Sequence, residues 1–165
     1  MDDWILLANQ TLNWDSFLRL ALAALCGAVL GWDRERRAKP AGLRTNMLVA
    51  LGAATFMVIG LDYQNSLQGT TPDWLGIDPF RILAGIIGGV GFLGAGSIIE
   101  SRGNVHGLTT AATIWVSAAT GSACGMGFYG VAVMAVGLGL VTLIAIGFVE
   151  RYSFQDRDAQ PGRQD

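Results

Sequence analysis

Eight polar side chains stand at the ends of apolar segments and are the residues best placed to do chemistry: Asp33, Arg34, Glu35, Arg44, Asn46, Glu100, Asn104 and His106. If the apolar segments bundle as helices, these groups gather in one layer at one rim. Two chemistries suit them. Carboxylates at Asp33, Glu35 and Glu100 could hold a hydrated divalent cation, Mg²⁺ above all, through oxygen ligands. The same carboxylates could instead pair with Arg34, Arg44 and Arg102 in a network that shapes the rim for a partner, each exposed pair contributing about 0.2–1 kcal/mol. His106 is the only histidine, and Cys26 and Cys124 both lie inside apolar stretches. That pair reads as small buried hydrophobes rather than as a disulfide or a metal site. With no nucleophile–base or metal constellation, no enzymatic activity and no cofactor are expected, Mg²⁺ aside.

A second set of residues is small. Thr110, Thr113, Ser117 and Thr120 recur every three or four positions and so share one face of a helix. Gly85, Gly88, Gly89, Gly91, Gly94 and Gly96 fill the preceding segment. In lipid, small residues let helix backbones approach where no hydrophobic force drives association. Both faces are therefore expected to serve helix packing or docking of a partner helix. The run GFLGAG at 91–96 has glycines like a nucleotide-binding loop, but no strand precedes it and an apolar span is the wrong context.

The elements that must position these groups are membrane spans. The chain of 165 residues is 52% hydrophobic and only 15% charged, with 23 glycines and a mean hydropathy of +0.43; ordinary soluble domains carry about 25% charged residues. No formal charge falls between Ile82 and Ile99, close to the length that a bilayer demands. The expectation is an all-α polytopic bundle: an interfacial segment at 1–15, a five-span domain at 16–149 and a polar tail at 150–165. The spans are expected at 16–32, 43–61, 80–99, 107–124 and from the GMGFYG turn at 125–130 to Phe148. Arg19 should snorkel from the first span and pair with Asp15 four residues earlier. Trp14 and Trp32 suit the two interfaces.

Five spans place Arg34, Arg36, Arg37, Lys39, Arg44, Arg102, Arg151, Arg157 and Arg163 on one side and only Arg19 and Arg81 on the other. The bias of basic residues puts the 33–44 loop, the 101–106 turn and the tail in the cytoplasm, and the amino terminus outside. The acidic amino terminus, with Asp2 and Asp3, is unlike a cleavable signal.

At three blocks the chain resembles the MgtC/SapB family of bacterial inner-membrane proteins: GLRTNMLVALGAATF at 42–56, RILAGIIGGVGFLGAGSII at 81–99 and NVHGLTTAATIWVSAATG at 104–121. Ahead of the first block the family's Gly-x-Glu-Arg-Glu is matched by Gly31, Trp32, Asp33, Arg34 and Glu35, with aspartate at the first acidic position. The resemblance implies five spans and a part in magnesium limitation, acid tolerance or survival within host cells. It also implies action by contact with other inner-membrane proteins, the proton-translocating ATP synthase among them. The soluble carboxy-terminal domain of the best-known member is not expected before Asp165, so functions of that domain do not carry over.

Two function classes follow. One is a non-enzymatic regulator or accessory protein that works through helix contacts with partner membrane proteins or further copies of itself. The other is a transporter or channel for a cation, most naturally Mg²⁺. The absence of ionised side chains deep in the spans favours the first. Apart from the lipid bilayer itself no other partner class is expected, and no nucleic acid.

Overall fold

The computed structural model describes residues 13–67, 78–101 and 103–146. They form five α-helices and one short hairpin: α1 (Trp14–Arg36), α2 (Leu43–Leu67), α3 (Pro79–Ser97), β1 (Ile99–Ser101), β2 (Asn104–His106), α4 (Leu108–Gly125) and α5 (Tyr129–Val141), the last continued by a π-helical turn at Thr142–Ile146. The architecture is the expected all-α bundle. Three helices, α1, α2 and α3, are long and apolar enough to cross a membrane. Trp14, stacked on Phe17, and Trp32 are exposed at the two ends of α1. Their 18-residue separation corresponds to about 27 Å of helix, near the ~30 Å hydrocarbon thickness.

Several boundaries differ from the sequence expectation. α2 runs on to Leu67, past the expected end at 61, because an aspartate at position 62 is no helix breaker and no Gly or Pro follows until Gly69. α3 starts on a local signal: Asp78 caps it, accepting from Phe80 N at 2.9 Å, with Pro79 at the first helical position. It ends at Ser97 rather than 99, where Ile98 turns extended and leads into β1. The expected polar turn at 101–106 is in fact an antiparallel hairpin pairing Ile99 with His106 and Ser101 with Asn104. Gly107 follows with φ 92° and lies where any Cβ would meet the Ser97 carbonyl carbon at 2.9 Å, so only glycine fits there.

The break between α4 and α5 is a left-handed C-cap. Gly127, with φ 80°, donates to Cys124 O at 3.0 Å, and Phe128 donates to Ala123 O at 2.8 Å. The turn expected at 125–130 is present. The part of the fifth span beyond residue 146, the tail, Arg102, Asp73, Trp74 and residues 1–12 lie outside the described residues.

α4 is the centre of the bundle and packs against each of the other four helices. It is not among the helices long and apolar enough to cross a membrane, and its hydroxyl side chains turn inward. Thr110, Thr113, Ser117 and Thr120 are all buried. α2 packs against both α1 and α4 at very short range. A Cβ on Gly27 or Gly31 would lie 2.9 Å from Met47 Cα or 2.8 Å from Leu43 Cα. One to two turns further along α2, a Cβ on Gly121 or Gly125 would lie 2.7 Å from Ala50 Cα or 3.0 Å from Ala54 Cα. Two Gly-x-x-x-Gly pairs, 27–31 and 121–125, thus press on successive turns of one face of α2.

Candidate functional site: a polar seam beneath a charged rim

The loop from Arg37 to Gly42 and the first turn of α2 are shaped by side chains of the Gly31–Glu35 segment. Glu35 reaches across to accept from Leu43 N at 3.0 Å. Its carboxylate satisfies one of the amide donors that a helix start leaves open and complements the positive end of the helix dipole. Asp33 pairs with Arg37 at 2.9 Å within α1. Arg34 turns inward instead. It is 5% exposed and donates from its guanidinium to Thr110 Oγ1 on α4, while its Nε has no protein partner. The helix is then closed by Ala38 in left-handed conformation (φ 50°), with Lys39 N donating to Arg34 O at 3.0 Å.

Asn46 lies one turn into α2 and is fully buried. Its Nδ2 donates to Ala41 O at 2.6 Å and Gly42 O at 2.8 Å, and its Oδ1 accepts from Ser117 Oγ at 2.7 Å. One side chain therefore ties the loop to the central helix. Arg34–Thr110 and Asn46–Ser117 form a polar seam through the basic end of the bundle. Two other hydroxyls stay within α4, Thr113 bonding to Thr109 O at 2.7 Å and Thr120 to Ser117 O at 2.9 Å. At the opposite end Arg19 pairs with Asp15 at 2.7 Å and donates to Gly125 O at 2.9 Å, closing the carboxy end of α4.

The expected single layer of rim charges divides into two parts. Arg34 and Asn46 join Thr110 and Ser117 inside. Glu100, Asn104 and His106 sit exposed on the hairpin and Arg44 is exposed on α2. The network of Asp33, Glu35 and Glu100 with Arg34 and Arg44 is corrected accordingly: none of these cross-pairs forms among the described residues, because each α1 carboxylate has a nearer partner. A Mg²⁺ ion is usually held by one or two carboxylates and several waters in an octahedron at about 2.0–2.1 Å. Asp33 and Glu35 are already engaged, and no group of three or more His, Cys, Asp or Glu converges among the described residues. Cys26 and Cys124 are free thiols, both packed in the apolar cluster around Ala23 and Ala132.

The glycines of α3 require a second correction. A Cβ on Gly85, Gly88, Gly89, Gly91 or Gly96 would meet nothing within 4 Å; only Gly94 makes an ordinary contact, 3.7 Å from Ala111 Cβ. Among the described residues these five glycines bring no other helix close. That work falls to Gly27, Gly31, Gly121 and Gly125, whose four-residue spacing was the signal available in the sequence. α3 touches α2 through Ile82 at Gly60 and α4 through Gly94. Between α2 and α3 an apolar groove of about 640 Å³ stays open, lined by Val49, Ala53, Phe56, Gly85, Ile86 and Gly89 among others.

These features define a polytopic helical membrane protein with a glycine-packed core, a buried polar seam and one helix whose small-residue face is unused internally. The chain belongs to the MgtC family, whose model matches residues 20–152, and it is a multi-pass protein of the bacterial inner membrane. It is 45% identical over 112 residues to the "Putative magnesium transporter YhiD" of Escherichia coli K12, covering 68% of this chain and 51% of that one. To Protein MgtC of Salmonella typhimurium LT2 it is 46% identical over 119 residues, 72% of this chain and 47% of the relative. To the uncharacterized protein slr0014 of Synechocystis it is 41% identical over 136 residues, 82% and 54% respectively. The chain spans about half the length of the curated relatives it matches. No solved structure matches it.

Proposed function

We propose that this chain is a non-enzymatic membrane regulator or accessory protein in the response to magnesium limitation, acting through helix contact with a partner membrane protein. The observation that carries this reading is the open face of α3. Four other glycines are consumed by close helix approach inside the bundle, while Gly85, Gly88, Gly89, Gly91 and Gly96 are left with no neighbour within 4 Å. A glycine-rich face in lipid is suited to receive another transmembrane helix at short range. The polar seam supports the same reading, since a buried guanidinium at Arg34 opposes the passage of a divalent cation beside it.

The name of the Escherichia coli relative favours a second reading, magnesium transport. Two experiments separate the two. In a bacterium that lacks its own MgtC-family protein, the chain should restore growth in low magnesium, and Gly89→Leu should fail to do so although it accumulates and folds normally. Full restoration by both Gly85→Leu and Gly89→Leu would overturn the docking face. Purified chain in liposomes should give no magnesium flux above that of empty vesicles; saturable flux from the chain alone would establish the transport reading instead.

A further inference from the structure

A second groove, of about 600 Å³, opens on the opposite side of α2, between α1, α2 and the end of α5. Its inner wall is apolar: Val29 from α1, Met47 from α2, Leu140 from α5 and Ile144 from the π-helical turn. Its mouth is polar, formed by Trp32, Asp33 and Arg36. From Arg36 to Ala28 the groove follows α1 for about 12 Å, most of the ~15 Å depth of one leaflet.

The charge at the mouth is one-sided. Asp33 is neutralised by Arg37 at 2.9 Å. Arg36 is exposed and has no ion pair among the described residues, and Lys39 and Arg44 are exposed on the same loop and helix start. Trp32 is 58% exposed, where an indole sits well at headgroup level. The π-helical turn widens the end of α5 beside this groove, a distortion that concentrates at functional positions. By contrast, the groove between α2 and α3 is lined by apolar residues alone, so it cannot discriminate headgroups.

From this geometry we infer that the groove between α1, α2 and α5 is a binding site for an anionic phospholipid of the leaflet on the basic side. The headgroup phosphate pairs with Arg36, and an acyl chain lies along Val29, Met47, Leu140 and Ile144. An apolar trough that runs most of the depth of a leaflet fits a tail, and a guanidinium with no ion pair among the described residues, at interface level, selects a negative headgroup. Near an anionic surface one such cation contributes about a fivefold preference.

The test uses the full chain in lipid nanodiscs with tail-brominated phosphatidylglycerol or tail-brominated phosphatidylcholine, reading the Trp32 part of the fluorescence as the difference between wild type and Trp32→Phe. Half-quenching of that component is expected at about fivefold lower mole fraction of the anionic lipid, with the advantage shrinking as salt rises. Arg36→Gln should bring the two lipids to parity, and Arg36→Lys should keep the preference. Arg36 is exposed, so both variants are expected to fold. Equal quenching by the two lipids in wild type, or an undiminished preference in Arg36→Gln, would overturn the site. Relief of quenching by inorganic phosphate or glycerol phosphate at equal potency would assign a free phosphate instead. Copy-to-copy disulfide formation by Val29→Cys, independent of lipid charge, would assign the groove to a second copy of this chain.

Discussion

Asn46 is enclosed completely and uses both its amide donor and its carbonyl. Asn46→Ala strands the buried Ser117 hydroxyl and removes the side-chain donor from Ala41 O, while Gly42 O keeps its bond from the residue-46 amide. The expected cost is about 1–3 kcal/mol, larger than that of Ser117→Ala. Reversible unfolding of the purified chain in mixed micelles measures both, and the double variant should fall short of the sum by about 0.5–3 kcal/mol because the two share one bond. A smaller gain is available at Ala38, which closes α1 in left-handed conformation. Ala38→Gly should stabilise by about 1 kcal/mol in the same assay, since the Cβ is what makes that conformation costly. Glu100 is exposed on the hairpin, and Glu100→Gln should move stability by less than about 0.5 kcal/mol. Arg34 and Asn46 could be singled out from the sequence as polar groups at span ends. Which way each points could not, because a rim residue may face water, loop or core with the same neighbours in sequence.

Helix pairing depends on which glycine faces are used. Gly121→Leu and Gly27→Leu should abolish assembly, since each would drive a bulky group into the backbone of α2. Gly85→Leu and Gly89→Leu should leave the monomer folded, because their faces are open. Protease resistance in detergent, compared across the four variants, checks this. Equal resistance throughout would show that α2 does not meet α1 and α4 at these glycines. Ile87→Leu, at a position 43% exposed, is the lipid-facing control and should behave as wild type. The sequence marked α3 as the glycine-rich element, and it is; the close contacts lie elsewhere because density of glycine says nothing about which face meets a neighbour. The hairpin at 99–106 was equally hidden, since three-residue strands are too short for a periodic pattern to emerge.

Across the whole molecule the charge bias predicts the sides. Cysteines introduced by Ala38→Cys and Thr70→Cys, in a background with Cys26 and Cys124 replaced, should differ toward an impermeant maleimide on intact cells. The site at 70 should react and the site at 38 should not; the reverse pattern would invert the orientation.

Apolar length, scarce charge and glycine content were enough by themselves to determine a membrane helical bundle and roughly where its helices fall. Each of these is a sum over many residues, and the bilayer imposes it on any chain that crosses. The family too was legible in three sequence blocks. Only the tertiary structure placed the hydroxyl-rich α4 at the centre, turned Arg34 toward Thr110, joined Asn46 to Ser117 and left the α3 face open. These outcomes rest on rotations of whole helices about their own axes. Such rotations are decided by contacts between residues about 70 positions apart, which no local pattern along the chain encodes.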